Sequence, residues 1–240
     1  MRTIRFFSTV DGVADAFPII PADQYVPDWV ATARASYLKK KKAANGEKFH
    51  HLYRCPGIFD LMTYGYIVPM PWEVLIETKG DGEDFKWVLP DNSIPHLYDG
   101  HPVTGHMAKG MLDSLPKKPG CLRSLIKLNT PWHVVAPPGV KFLITPIPYP
   151  DDFTFESNPG LLDPGYSTEI NPQGWWRNLN GQSVIKAGTP MCQIIPLTDE
   201  KFKMTVGTAT VKELEWIKKR EYFFGLSSVS YTHLTLPTIL

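Results

Sequence analysis

The 240-residue sequence contains no apolar run long enough to cross a membrane, and its opening "MRTIRFFSTV" lacks the apolar stretch of a signal peptide. A membrane-spanning helix needs about 20 consecutive, mainly apolar residues. The sequence therefore predicts no membrane partner and a cytoplasmic location.

The short motifs of several common enzyme classes are also missing. There is no GxGxxG, no phosphate loop of the GxxxxGK[ST] type, no HExxH, no CxxC pair and no GxSxG elbow. Dinucleotide binding, P-loop chemistry, zinc proteolysis and serine hydrolysis are therefore unsupported, and no cofactor is predicted.

Cysteine is scarce, and charge of neither sign dominates. Cys55, Cys121 and Cys192 are odd in number and widely spaced, so we interpret them as buried, reduced thiols rather than a disulfide framework. The 25 basic and 24 acidic residues nearly cancel, so bulk charge gives no clear indication of a nucleic-acid partner.

Two helices are predicted in the first third of the chain. The first spans 28–44, where Asp28 can cap the start and Asn45-Gly46 can end it. Its apolar stripe consists of Trp29, Ala33, Tyr37 and Leu38. The run Lys39–Lys42 indicates either a solvated helix end, which we favour, or a basic patch for a partner. "PGIFDLMTYG" is typical of a second, short helix stopped by Gly65.

The remaining sequence favours β-structure. Its 23 prolines favour short strands broken by turns. "WEVLIETKGDGEDFKWVLP" predicts two strands around a Gly-Asp-Gly turn. The predicted core positions are Val74, Ile76, Phe85 and Trp87. The acidic residues of the turn, Asp81, Glu83 and Asp84, lack the ligand spacing of a calcium loop.

Two later segments, Val134–Pro146 and Val184–Pro196, resemble each other. Each is a short apolar strand, a Pro/Gly turn, a longer apolar strand and a closing proline. The similarity indicates a duplicated hairpin-like unit. The predicted fold is mainly β, with a barrel-like or β-clip double-hairpin core and a short N-terminal helical region. We divide the chain into an N-terminal segment (1–52), a β-rich core (53–226) and a tail (227–240).

The tail has two interpretations. Val229, Tyr231, Leu234 and Leu236 among threonines are typical of an edge strand. However, the ten residues Val229–Thr238 are also what one frame of a common transposon-end sequencing adapter encodes. We favour the second interpretation, in which a metagenomic gene fragment was translated through an adapter, so the tail is non-native and the natural C-terminus is missing.

His96, His101 and His106 recur at five-residue steps. This spacing places them on one face of neither a helix nor a strand. A metal site would need a loop to gather them and further ligands from elsewhere. We therefore expect loop histidines and no metal site.

The segment "GLLDPGYSTEI" contains a strong turn signal. Pro164 presets the first central residue, Gly165 permits positive φ at the next, and Asp163 can bond back to the backbone. Turn chemistry alone explains these residues without any ligand.

The same turn resembles the core of trimeric dUTPases and dCTP deaminases. The matching residues are Gly160-Leu161-Leu162-Asp163-x-x-Tyr166, Glu169-Ile170, "PPGVKFLITP", and Lys186, Gly188 and Gln193 of "IKAGTPMCQIIP". The resemblance covers roughly 130–196. It implies that Asp163 binds the sugar 3′-hydroxyl and orients the attacking water, that Tyr166 packs on the deoxyribose, and that the protein is a trimer using Mg²⁺.

The sequence departs from that family at its phosphate grips. "TPIPYPDDF" stands where dUTPases have an Arg-Ser-Gly segment, and the early Ala-Gly-x-Asp element is absent. The glycine-rich closing arm is missing too, but that arm is C-terminal and the adapter junction would have removed it. Phosphoryl chemistry needs groups that stabilise the charge on the transferring phosphate. Lys127, Lys141 and Arg177 are the candidate cations.

Longer ordered blocks resemble a second family. "RCPGIFDLMTYGYIVPMPWEV", "LNTPWHVVAPPGVKFLITPIPYP", "GLLDPGY" and "IKAGTPMCQIIPL" follow one another over roughly 53–197. In this order they resemble a phage and bacterial protein family of unknown activity, abundant in marine phages. The resemblance implies a viral origin, with the protein in the host cytoplasm or the virion.

Three tryptophans suggest aromatic platforms for a sugar or a base. Adjacent Trp175 and Trp176 in a strand face opposite ways, so at most one is a core residue, while Trp132 stands alone. With Tyr166 and Arg177 they form the candidate ligand-binding set.

Two functional hypotheses remain. The first is a non-catalytic ligand-binding or assembly protein of phage type, whose partner is a small ligand, a phage protein or further copies of itself. The second is a nucleotide hydrolase related to dUTPase, with Asp163 as its catalytic residue. The missing phosphate grips favour the first.

Overall fold

A computed structural model describes residues 1–90, 102–106 and 116–219 of the chain. Its helices are Val13–Ala16 (α1), Asp28–Ala43 (α2), Pro56–Thr63 (α3) and residues 211–219 (α4), with short 3-10 turns at Ala22–Gln24 and Leu52–Arg54. Its strands are Thr3–Ser8 (β1), Ile20–Pro21 (β2), Tyr66–Pro69 (β3), Val74–Lys79 (β4), Phe85–Val88 (β5), Val103–His106 (β6), Leu125–Leu128 (β7), Trp132–Val135 (β8), Phe142–Thr145 (β9), Phe155–Ser157 (β10), Gly160–Leu162 (β11), Gln173–Trp176 (β12), Asn180–Ile185 (β13), Pro190–Pro196 (β14) and Lys203–Thr208 (β15).

The fold is mainly β, as predicted. The strands form four sheets with the orders β15-β1-β8, β10-β12-β7-β6, β11-β9-β14-β3-β2 and β13-β4-β5. Every pairing between named strands is antiparallel except that of β1 with β15. Within the described residues the sheets stay open, and none closes into a barrel.

Two hydrophobic cores lie between pairs of these sheets. The first joins the sheet of β1 to the sheet of β14 through residues such as Phe6, Trp132 and Phe142. The second joins the sheet of β7 to the sheet of β4 through Ile126, Trp176 and Val74. β14 contributes to both cores, because Met191 belongs to the second and Cys192 to the first. This strand therefore links the two halves of the molecule.

The predicted N-terminal segment contributes directly to the first core. β1 is the middle strand of its sheet and pairs with β15 and β8. Its alternate residues Ile4 and Phe6 are fully buried in the first core, as expected for a strand with one face on a hydrophobic layer. The helical region that follows, from α2 to α3, lies outside both cores.

The predicted first helix is confirmed, but its start and its apolar stripe differ from the prediction. Asp28 does not cap it; instead the Asp28 amide donates to the Oδ2 of Asp151, 2.8 Å away. A carboxylate at a helix N-terminus satisfies a free amide and favours the macrodipole. Leu38 is 53% exposed, so the stripe does not extend to it. Asn45 ends the helix with positive φ, as predicted.

The hairpin predicted around Gly80-Asp81-Gly82 is confirmed as β4 and β5. Val74 and Ile76 are fully buried, and Phe85 and Trp87 pack against them from the partner strand. Asp81 closes the turn by accepting a bond from the Glu83 amide at 3.0 Å.

The two similar segments do not form two separate hairpins. β8 pairs with β1, and β13 pairs with β4. The first strand of each segment therefore belongs to a different sheet from the second strands. The second strands, β9 and β14, pair with each other instead, with Ile144 opposite Ile194. These two residues occupy equivalent positions in the repeats, so an approximate two-fold axis passes between them. The second strands of the two similar segments are therefore related by this axis within one sheet.

Candidate functional site

The Asp163 turn follows β11, and the predicted bond of the Asp163 side chain back to the backbone is present. The Asp163 carbonyl accepts bonds from the amides of Tyr166 (2.8 Å) and Ser167 (2.9 Å). Its side-chain Oδ1 accepts a bond from the Gly165 amide at 2.9 Å. Such an aspartate turn is locally stabilised by its own side chain, so the bend does not depend on a ligand.

The reason for glycine at position 165 differs from the prediction. Gly165 is not among the residues with positive φ. A Cβ at this position would instead lie 2.9 Å from the Asp163 Oδ1. The Asp163 side chain therefore lies close over Gly165, and a larger residue here would have to displace that carboxylate rather than strain a left-handed backbone.

Lys141 is the cation that the fold brings to this turn. Its Nζ lies 3.1 Å from the Asp163 Oδ2, and both side chains are about half exposed. This ion pair follows from the antiparallel pairing of β11 with β9. Leu162 lies opposite Phe142, so Asp163, which follows Leu162, lies opposite Lys141, which precedes Phe142. Tyr166 is 49% exposed on the same turn.

The tryptophans lie mainly in the cores, which corrects the prediction of aromatic platforms. Trp132 is fully buried in the first core and Trp176 is almost fully buried in the second. Trp175 is half-buried on the opposite face of β12, as strand alternation predicted. The buried rings are explained by packing, because large aromatic side chains gain most from removal from water.

Arg177 belongs to a different cluster from Asp163. Its guanidinium lies 2.7 Å from Glu156, which also forms an ion pair with Lys118. The two cations lower the pKa of Glu156 against the opposing effect of its burial, and its hydrogen bond to Arg177 raises the pKa of the guanidinium. Lys127, the third candidate cation, lies in β7 of the same sheet as this cluster.

A cavity of about 310 Å³ lies beside the turn between β13 and β14. Its lining consists of Asp152, Thr154, Phe155, Trp176, Ser183, Val184, Ile185, Lys186, Thr189, Pro190 and Met191. Trp176 is among the lining residues, although its side chain is almost fully buried. The lining combines apolar side chains with hydroxyl groups and one charge of each sign.

The cavity and the Asp163 turn lie at opposite ends of the β9–β14 pair. Asp163 follows Leu162, which is level with Phe142 and hence with Pro196 at the end of β14. The cavity includes Pro190 at its start, and six residues of strand span about 20 Å. The structure therefore does not bring Asp163 together with Trp175, Trp176 or Arg177.

The residues of the "IKAGTPMCQIIP" pattern have separate structural roles. Gly188 turns the chain with positive φ, and its amide bonds to the Met70 carbonyl. Gln193 is fully buried, and its side-chain amide donates to the carbonyls of Leu61 and Tyr64 at the end of α3. The last carbonyls of a helix have few partners within it, and Gln193 supplies one from β14 and thereby joins α3 to the sheet.

His133 is a buried titratable residue that the sequence did not single out. Its Nδ1 lies 3.0 Å from the Thr168 Oγ1, and its ring stacks on Phe7 with centroids 5.3 Å apart. Burial lowers the pKa of His133 to about 4. Strand alternation in "WHVV" could have indicated only which face the imidazole occupies.

The cysteines differ in their surroundings. Cys192 is buried as predicted, whereas Cys55 is exposed and Cys121 is half-buried, and all three are free thiols. Burial raises the pKa of Cys192 to about 12. Burial also raises the pKa of Cys121, against the opposing effect of Arg177 and Lys118.

Two further predictions fall largely beyond the described ranges. His96, His101 and the tail 227–240 lie outside the described residues, while the backbone of His106 ends β6. Among residues 1–90, 102–106 and 116–219, no group of three or more His, Cys, Asp or Glu side chains is arranged to hold a metal ion.

No protein-family model matches the sequence, and a search of curated proteins finds no match. No helix in the described part of the chain is both long enough and apolar enough to span a bilayer.

Proposed function

We propose that this chain is a non-catalytic ligand-binding or assembly protein of phage type, with its ligand site in the cavity beside the β13–β14 turn. The observation that carries the non-catalytic part is the separation of the candidate phosphate-binding cations. Lys141 pairs with the Asp163 Oδ2 at the turn, whereas Arg177 pairs with Glu156 and Lys127 lies in β7 of another sheet. Phosphoryl transfer needs several groups that stabilise the charge on the transferring phosphate, and of these three cations one lies at the turn.

The cavity supports the ligand-binding part of the proposal. Lys186 and Asp152 supply opposite charges at its wall, and hydroxyl groups of Ser183 and Thr189 supply donors and acceptors. Phe155 and Val184 supply apolar surface. This mixture suits a small polar molecule with one flat face, such as a sugar or a nucleoside.

Two observations favour the alternative, a nucleotide hydrolase that uses Asp163 and Mg²⁺. Lys141 brings a cation to the turn, where a phosphate would need one, and Tyr166 is exposed beside it. In this alternative, a bound nucleotide would draw Lys141 away from Asp163 and free the carboxylate. Light scattering gives an independent check, because a trimer would favour the dUTPase-like alternative.

The test of the catalytic question is incubation of the full-length protein with dUTP or dCTP and Mg²⁺, beside Asp163→Asn. We expect no pyrophosphate release from either protein, because Lys141 is the one candidate cation at the turn and Arg177 is paired with Glu156 elsewhere. Release by the wild type that Asp163→Asn abolishes would replace this proposal with the hydrolase.

The ligand site is tested separately by saturation-transfer NMR with deoxyuridine and glucose. We expect a signal for at least one of them, weakened by Lys186→Glu in the cavity wall. Lys203→Glu, an exposed lysine on β15, is the matched control and should leave the signal unchanged. Absence of any signal from the wild type would contradict the ligand-binding part.

A further inference from the structure

Although the net charge of the whole chain is near zero, basic residues are concentrated in one segment and acidic residues predominate in the rest. Residues 34–54 contain seven basic residues, namely Arg34, Lys39, Lys40, Lys41, Lys42, Lys48 and Arg54, but one acidic residue, Glu47. The rest of the chain then carries 18 basic and 23 acidic residues. A basic region on an otherwise acidic protein indicates a polyanionic partner more strongly than net charge does.

The fold gathers these charges on one body, which we call the basic appendage (residues 34–55). After Gly46 the chain returns along α2, so that Tyr37 contacts Phe49, His51 and Tyr53 with ring centroids 5.6 to 5.7 Å apart. His51 Nε2 also lies 3.3 Å from Ser36 Oγ. Lys48 and Arg54 are therefore held beside the basic end of the helix.

The cations of the appendage face solvent and are available. Lys40 and Lys41 follow Tyr37 by three and four residues, which places them on the helix face nearest the return segment. All seven basic residues are exposed, and none forms an ion pair within the described part of the chain. α2 has no fully buried residue, so the helix contributes little to the packing of either core.

The return segment also forms a concave surface. An open cavity of about 760 Å³ is lined by Lys48, Phe49, His50, His51, Leu52, Arg54 and Cys55. Cations for phosphates thus lie beside the ring of Phe49 and two imidazoles. Rings next to cations are what proteins use to stack unpaired bases while they neutralise the backbone.

We propose that the basic appendage binds single-stranded nucleic acid, with phosphates on the lysines of α2 and a base in the cavity beside Phe49. The concave shape favours this partner over a bilayer, whose surface is flat on this scale. The rings favour it over an acidic polypeptide, which needs cations alone. A paired base could not enter the cavity without leaving its stack, so we expect weaker binding of a duplex.

The test is fluorescence anisotropy of a labelled oligothymidylate of about 20 nucleotides with the full-length protein. The variant is Lys40→Gln/Lys41→Gln/Lys42→Gln, and the matched control is Lys212→Gln/Lys218→Gln/Lys219→Gln. Both sets are exposed lysines near a helix end and remove the same charge. Circular dichroism checks that each variant is folded.

We expect the appendage variant to bind about tenfold or more weakly at low salt, and the control to change by less than about twofold. Each lost phosphate contact should reduce the slope of log affinity against log salt by about 0.7, or about 2 for three contacts. Equal weakening by both variants would overturn the proposal, since it would indicate a net-charge effect.

Three other outcomes would also overturn it. One is no binding of the oligonucleotide at low salt. Another is equal or tighter binding of the matching duplex, which would remove the role of the cavity. The third is displacement of the oligonucleotide by polyglutamate or by phosphatidylserine vesicles at matched charge concentration, which would identify a different class of partner.

Discussion

At the scale of single residues, buried titratable side chains show how removal from water changes protonation. His133 is the sharpest case, because its imidazole lies between Phe7 and Thr168 in an almost water-free position. Burial disfavours the charged form, so the pKa of His133 falls to about 4. The residue is therefore neutral in the folded protein at any pH well above that value.

Stability should consequently fall in mild acid. The unfolded chain, where the histidine pKa is about 6.5, binds more protons than the folded protein between pH 6.5 and 4. The free energy of unfolding should therefore decrease as pH falls through this window, by about 2 kcal/mol from pH 7 to pH 5. Urea denaturation at both pH values measures the effect.

His133→Phe is the control for this prediction, since it keeps a flat ring against Phe7 but cannot take up a proton. The variant should lose the same 2 kcal/mol of pH dependence, approximately, whatever its stability at neutral pH. An identical pH dependence in the two proteins would mean that other groups cause it.

At the scale of elements, close approach between strands restricts particular residues. β10 pairs with β12, and a Cβ on Gly174 would lie 2.2 Å from the Glu156 carbonyl oxygen. Real Cβ atoms do not approach a backbone oxygen so closely, so any larger residue must push β10 away. This movement would also displace Glu156 from Lys118 and Arg177.

Gly174→Ala should therefore destabilise the protein by about 3 kcal/mol, the upper part of the usual range for overpacking. Gly160→Ala is the matched control, because Gly160 is also a strand glycine but has open space around its Cβ position. It should change stability by less than about 1 kcal/mol. Equal effects in urea denaturation would contradict the role assigned to the β10–β12 contact.

At the scale of the whole molecule, β14 and the contact of β1 with α4 join segments that are far apart in the sequence. β14 contributes side chains to both cores. Arg5 of β1 bonds to Glu213 of α4 at 2.6 Å, and Glu213 also caps α4 through the Thr210 amide at 2.7 Å. The interior of β14 should therefore be reached by solvent only when the molecule unfolds as a unit.

Thiol labelling tests this expectation. Cys55 is exposed and should react in the native protein, Cys121 should react more slowly, and Cys192 should resist because it is buried and its pKa is raised to about 12. Mass spectrometry after iodoacetamide treatment should find Cys192 modified only as fast as global unfolding allows. Modification of Cys192 at the rate of Cys55 would show that β14 opens locally.

The sequence by itself determined the features that depend on neighbours along the chain. The helix from 28, the short helix before Gly65, the β4–β5 hairpin and the Asp163 turn were all predicted, because their stabilising contacts join residues only a few positions apart. The mainly β character followed for the same reason, since strand alternation and turn residues recur along the core.

Only the tertiary structure decided which distant segments meet. β1 lies between β8 and β15, Asp151 caps α2, β9 pairs with β14, and Asp163 lies at the other end of β14 from the cavity, none of which a local pattern indicates. These contacts are selected by the burial of whole sheet faces. That burial depends on how all the strands pack together. The Trp175-Trp176 sequence alone therefore could not indicate which residues surround these two side chains.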